Sequence, residues 1–98
     1  MIKPHFVVCV TCVGGRLIYD IIRALRDAPD YHILVVGVDA DPAAAGRLLC
    51  DEFSVLPMAE RDPDGWVAGI LELKLRTGVQ GLVCLSDQEA CLAAQHHE

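Results

Sequence analysis

The sequence predicts an α/β fold: a Rossmann-like three-layer sandwich in which a four-stranded parallel sheet, in the order 3-2-1-4, carries helices on both faces. Three observations lead there. Apolar runs of strand length, continuous as in strands buried on both faces, recur at residues 6–10, 33–38 and 81–85, and 53–57 reads as a short third strand. Between and after them lie stretches with apolar residues at helical spacing, introduced by a glycine turn, an Asp-Pro pair or a capping box. The resulting βαβαβαβα alternation closes most simply through right-handed crossovers, which set strand 1 between strands 2 and 4.

The first strand, Phe-Val-Val-Cys-Val at 6–10, runs through Thr11 into the turn Cys12-Val13-Gly14-Gly15-Arg16. Leu17, Ile18, Ile21, Ile22 and Leu25 then recur at helical spacing, so a helix beginning near Arg16 buries one apolar stripe. Ala28-Pro29-Asp30 stops it, because the residue before a proline is pushed out of the helical region. Tyr31 and His32 lead into the second strand, which ends at Asp39. Asp41 and Pro42 then cap and open a short helix over 43–49, weakened by Gly46. After the third strand, Asp62 caps and Pro63 opens a helix carrying Trp66, Val67, Ile70, Leu71 and Leu75, and Gly78 supplies its stop. The fourth strand leads to Ser86-Asp87-Gln88-Glu89, a capping box opening a last helix with Cys91, Leu92 and Ala93.

In the order 3-2-1-4 the switch point falls between strands 1 and 4, and open α/β sheets bind ligands in the crevice there. The glycine turn and the Ser86-Asp87 cap face each other across it. Gly14 and Gly15 permit positive φ and close approach of a ligand to the main chain, the following helix aims unpaired N–H groups at the same spot, and Arg16 adds a full charge. A phosphate or carboxylate is the natural guest, unless the glycines serve only a tight turn. Asp39, at the tip of the second strand, is placed as the acid that accepts ribose hydroxyls in dinucleotide-binding folds, although its gap of 25 from Gly14 exceeds the usual ~20. Capping of its own turn is the competing reading. Ser86 and Asp87 are explained by the capping box alone.

Composition narrows the partners. With 98 residues there is one domain. The net charge of -6 is carried entirely from Cys50 onward, where nine acids stand against three bases, whereas residues 1–49 hold five of each. No basic patch exists for nucleic acid or an anionic membrane, and an anion-binding surface is expected in the neutral first half. The apolar fraction of 53% is above the usual ~45–50%, so some apolar surface is expected to lie against something else. Five cysteines are an odd number, and Cys9 and Cys84 sit in apolar runs as small hydrophobes, which fits a reduced, cytoplasmic setting. Cys12 lies at a helix entrance, where a thiolate is stabilised, with a tolerated small residue in the turn as the competing and favoured reading. Lys3-Pro4-His5 before a short apolar run is unlike a signal peptide, and no run reaches the ~18 residues needed to span a membrane. His5, His32, His96 and His97 stand at strand starts or the terminus, away from the crevice, so acid–base catalysis has no obvious agent.

Val10-Thr11-Cys12-Val13-Gly14-Gly15, Asp20-Ile-Ile-Arg-Ala-Leu25, Val36-Gly-Val-Asp-Ala-Asp-Pro42 with Ala45-Gly46, Asp51 with Val55-Leu-Pro57, and Leu85-Ser-Asp87 together resemble the N-terminal, pre-ATP-grasp domain of ATP-grasp ligases. The carbamoyl-phosphate synthase large-chain-like and pyrrolysine-biosynthesis-like ligases are the most similar in character, and the resemblance covers almost the whole chain. It implies a Rossmann-like domain packed on an ATP-grasp module, in an enzyme that activates a carboxylate with ATP and magnesium and captures it with an amine. The nucleotide and metal ligands belong mainly to that later module, so no catalytic residue, metal or cofactor is assigned to this chain. Its implied partners are the ATP-grasp module, or a second copy on the surface that module would cover, and a small carboxylate substrate. By resemblance Thr11, Gly14, Gly15 and Arg16 line the substrate side of the cleft, with Asp39, Ser86 and Asp87 nearby. Two departures stand out: Cys12 where the family usually has glycine, and Arg16-Leu17 where many relatives place proline or another small residue.

Two further readings compete. A nicotinamide- or flavin-dinucleotide module would need GxGxxG, and Cys12-Val13-Gly14-Gly15-Arg16-Leu17 lacks the first and last glycines. A non-catalytic interaction domain would show its sheet edge filled by side chains such as Arg16 and Tyr19.

Overall fold

The computed structural model describes residues 4–11, 13–15 and 18–95, apart from the side chains of Asp87 and Gln88. Cys12, Arg16, Leu17, His96 and His97 lie outside these residues. The element order is β1 (His5–Thr11), α1 (Ile18–Arg26), β2 (His32–Asp39), a 3₁₀ helix (Ala45–Leu49), β3 (Glu52–Val55), α2 (Pro63–Thr77), β4 (Gly81–Val83) and α3 (Asp87–Gln95). The strands form one parallel sheet in the order β3-β2-β1-β4, as the alternation predicts.

The central strand β1 is buried on both faces, which is why its sequence is continuously apolar. Val8 and Val10 point with Ile33 and Val35 towards Ile18 and Ile22 of α1, and Cys9 points with Val36 and Val38 towards Leu73 of α2. The register pairs His5 with His32 and Thr11 with Val38, so the ladder is longer at both ends than the apolar run alone indicates. β4 is shorter than the run 81–85: the Leu85 amide leaves the ladder to donate to the Thr11 hydroxyl, 3.1 Å away. β3 likewise ends at Val55, ahead of Pro57.

The signals that bound α2 act where they were read. Asp41 and Pro42 do not open the helix expected after them: Asp41 Oδ1 accepts the Ala43 amide in a turn ahead of it, and the helix begins at Ala45 after Ala44, with no side-chain cap. Asp62 Oδ1 accepts the Gly65 amide at 3.0 Å, and Gly78 closes α2 at φ 74° with its N–H on the Lys74 carbonyl. The expected helix over 43–49 is instead a 3₁₀ helix, its first turn held by Arg47 N–H donating to the Ala44 carbonyl. Gly46 is no weakness there. A Cβ at this position would collide with the Val13 carbonyl oxygen, so glycine is what lets this segment pack on the turn after β1.

Candidate functional site

The turn after β1 is built on Asp39. Its Oδ2 accepts the Gly14 amide at 2.9 Å and its Oδ1 accepts the Asp41 amide at 2.8 Å, tying the tips of β1 and β2 together. The oxygen expected at the glycine turn is therefore supplied, at Gly14, by the protein's own carboxylate. Asp39 caps its turn, the local reading of this residue, and reaches across to the first turn as well. Positive φ occurs, among the described glycines, only at Gly78. What Gly14 provides is close approach, since a Cβ would lie 3.1 Å from Asp39 Oδ2. Gly14 and Gly15 are exposed, and Arg16 lies outside the described residues.

Thr11 is fully buried at the C-terminal end of β1. Its hydroxyl donates to Glu89 Oε1 at 2.6 Å while accepting the Leu85 amide at 3.1 Å. Ser86 Oγ accepts the Glu89 amide at 3.2 Å, half of the expected capping box, and the Glu89 carboxylate turns inward to Thr11. Strand 1, the end of strand 4 and the first turn of α3 are thus joined at the switch point by one hydroxyl and one buried carboxylate. The side chain of Asp87 lies outside the described residues.

Above this edge opens a cleft of about 390 Å³. Asp39 and Asp41 follow β2, Glu60 stands in the segment after β3, Trp66 comes from the first turns of α2, and Ser86 and Glu89 come from the start of α3. Four carboxylates line it, with no lysine or arginine among the described lining residues. Trp66 is 2% exposed, and its Nε1 has no hydrogen-bond partner among the described residues. Such a surface favours cationic or hydrogen-bond-donating groups, and an anion there must rely on charge brought from elsewhere. Tyr19 is exposed and does not fill the cleft.

Sequence reasoning placed Thr11, Asp39 and Ser86 at the C-terminal edge of the sheet, where the structure has them, with Asp39 and Ser86 lining the cleft and Thr11 buried beneath it. It missed Glu89, Asp41, Glu60 and Trp66 as cleft residues. Glu89 was legible as the last residue of the capping box, but the local motif aims its carboxylate at its own helix, and only the 1-4 strand adjacency presents Thr11 instead.

Three of the described cysteines, Cys9, Cys50 and Cys84, are held as thiols by burial. Cys9-Val10-Thr11-Cys12 has the spacing of a redox pair, which the cysteine count alone obscures. Cys9, however, is buried in β1, and its burial, with smaller repulsion from Cys84 and Glu89, pushes its thiol up to about 12, the opposite of a reactive thiolate. Burial also raises the thiols of Cys84 and Cys50. At Cys84 the Glu89 charge adds to this, while a Thr11 hydrogen bond opposes it.

The His5 and His32 rings lie 4.9 Å apart at the opposite end of the sheet, far from the cleft. Among the described residues no group of three or more His, Cys, Asp or Glu side chains is arranged to hold a metal ion, and no helix is long and apolar enough to cross a membrane. The sequence matches no protein-family model and no curated protein.

Proposed function

We propose that the chain is the N-terminal, substrate-side domain of an ATP-grasp carboxylate–amine ligase of the carbamoyl-phosphate synthase type, working in the cytoplasm and inactive by itself. The observation that carries this reading is the cleft at the switch point, where Asp39, Ser86 and Glu89 converge beside the Gly14 turn. It offers hydrogen-bond acceptors, and no nucleophile–base pair stands among its described lining residues. Its role is to bind and orient, with the chemistry completed by another module.

The four carboxylates suit the amine partner, whose N–H groups they accept. The described residues do not fit ATP and magnesium. The cleft presents carboxylates and no cation to a triphosphate, and no metal-holding cluster stands beside it among the described residues. In this reading both are held by the ATP-grasp module. Against the dinucleotide reading stand the missing first and last glycines of the frame at residues 12–17, and one acceptor site on each Asp39 oxygen is already taken by a backbone amide.

The test is calorimetric titration of the 98-residue chain with ATP plus magnesium, NAD, and panels of small amines and carboxylates. Silence towards ATP and NAD, with weak binding of an amine or carboxylate, is the expected pattern. Tight binding of NAD would promote the dehydrogenase-type module, and silence towards every compound would favour a pure interaction domain.

A further inference from the structure

Two histidines stand directly opposite one another at the start of the central ladder. His5 opens β1 and His32 opens β2, and the parallel register pairs them. The backbone fixes this end of the ladder, because the His32 amide donates to the Pro4 carbonyl at 2.9 Å. Side chains alternate along a strand, so His5 shares a face with Val7 and Cys9, and His32 shares it with Val36 and Val38. Both imidazoles therefore project from the α2 side of the sheet, and both are exposed. Their ring centroids are 4.9 Å apart with the planes tilted by 45°, neither stacked nor edge-on. On the α1 side the same two strand starts are already closed by a ring contact of another kind: Phe6, packed against the core, meets Tyr31 edge to face at 5.5 Å.

We propose that His5 and His32 form a two-histidine chelate for a divalent transition ion such as zinc. A zinc–nitrogen bond of about 2.0–2.1 Å, added to the ~1.1 Å between a ring nitrogen and its centroid, puts a shared ion roughly 3.2 Å from each centroid. Two such arms spanning 4.9 Å meet at about 100°. That lies within about 10° of the tetrahedral angle zinc adopts. Imidazole nitrogen is also the donor that zinc, copper and nickel take, whereas magnesium and calcium require oxygen. Among the described residues no third His, Cys, Asp or Glu completes the set, so the remaining positions fall to water, as in an open site. The β1–β2 ladder holds both donors in place, which makes the second bond intramolecular and keeps its ordering cost low. Bound there, the ion clips the starts of β1 and β2 together and stabilises the fold by mass action. The site lies at the opposite end of the sheet from the cleft and is independent of which ligand the cleft takes.

The experiment is titration of the 98-residue chain with zinc alone, its thiols kept reduced by a phosphine, read by long-range proton–nitrogen NMR of the histidine rings and by thermal melting. The ring signals of His5 and His32 should shift together and saturate at one ion per chain, and the melting temperature should rise with zinc concentration. His5→Ala and His32→Ala should each weaken binding about 100-fold, because a single imidazole no longer chelates. Both side chains are exposed, so the circular dichroism spectrum should stay unchanged in each variant. A double variant, His96→Ala with His97→Ala, and Cys91→Ser at the exposed cysteine should bind as the wild type does. Magnesium in place of zinc should shift neither ring. Ring signals of His5 and His32 that stay in place up to about 1 mM zinc would overturn the proposal. So would zinc binding that survives His5→Ala or His32→Ala, or binding that is lost in the His96/His97 double variant or in Cys91→Ser.

Discussion

Replacing Thr11 by valine removes one oxygen at nearly constant volume and tests the junction at the switch point. The hydroxyl serves the buried Glu89 carboxylate at 2.6 Å and the Leu85 amide at 3.1 Å, and Thr11 itself has no exposed surface through which water could substitute. A hydrogen bond to a charged group contributes about 1.5–3 kcal/mol, and a half-buried amide left without its acceptor costs about 1 kcal/mol at the low end of the range. The expected loss is about 3 kcal/mol, a large part of the ~5–15 kcal/mol available to a domain of this size. That corresponds to a fall of about 12–20 °C in melting temperature. Urea unfolding followed by the fluorescence of Trp66, the single tryptophan and a buried one, reads the loss directly as a lower midpoint at unchanged slope. Thr11→Ser is the control, since it keeps the oxygen and gives up one methyl group, worth about 1 kcal/mol. If Thr11→Val costs no more than Thr11→Ser, the hydroxyl does not hold this junction and the reasoning fails.

Three other perturbations follow from the same geometry. Cys9 keeps its proton in the fold up to about 12, whereas an unfolded chain sheds it near the ordinary value of 9.0, so above that value the unfolded state binds fewer protons. Stability is therefore constant below about pH 9 on this account and falls by about 1.4 kcal/mol per pH unit above it. Urea midpoints at about pH 8 and pH 10 should show a slope that Cys9→Ala reduces, although that variant is less stable overall. Gly46→Ala drives a methyl group into the Val13 carbonyl and should cost about 1–3 kcal/mol, visible in the melting temperature; a neutral result would mean that the 3₁₀ helix shifts freely. Asp39→Ala strips the acceptors from the Gly14 and Asp41 amides and should cost about 1–2 kcal/mol, with Asn retaining roughly half, and hydrogen exchange should accelerate at those two amides first.

The strand order was legible because it follows from local signals that the tertiary fold leaves intact. Pro63 and Gly78 bound α2 by backbone chemistry that any context preserves, and the apolar runs of β1 and β2 admit no exposed face. The failures share one cause, contacts between segments distant in sequence. Gly46 reads as a helix weakness until Val13 is brought against it. Leu85 reads as a strand residue until Thr11 captures its amide across 74 positions. Glu89 reads as a helix cap until strand order places it over Thr11, 78 positions away.

The same distinction explains the charge of the cleft. The acids from Cys50 onward and the neutral balance before it suggest, by position in sequence, an anion site in the first half. Folding mixes the two halves at the C-terminal edge of the sheet: Asp39 and Asp41 come from the first, Glu60 and Glu89 from the second, and they meet around one opening. Asp39 then meets the Gly14 amide that an incoming anion would have used. A group entering this cleft encounters carboxylates first, so its recognition proceeds through N–H donors or positive charge. On the ligase reading, that gives the amine end of a carboxylate–amine pair to this domain's cleft and leaves the phosphorylated end to residues that carry cations.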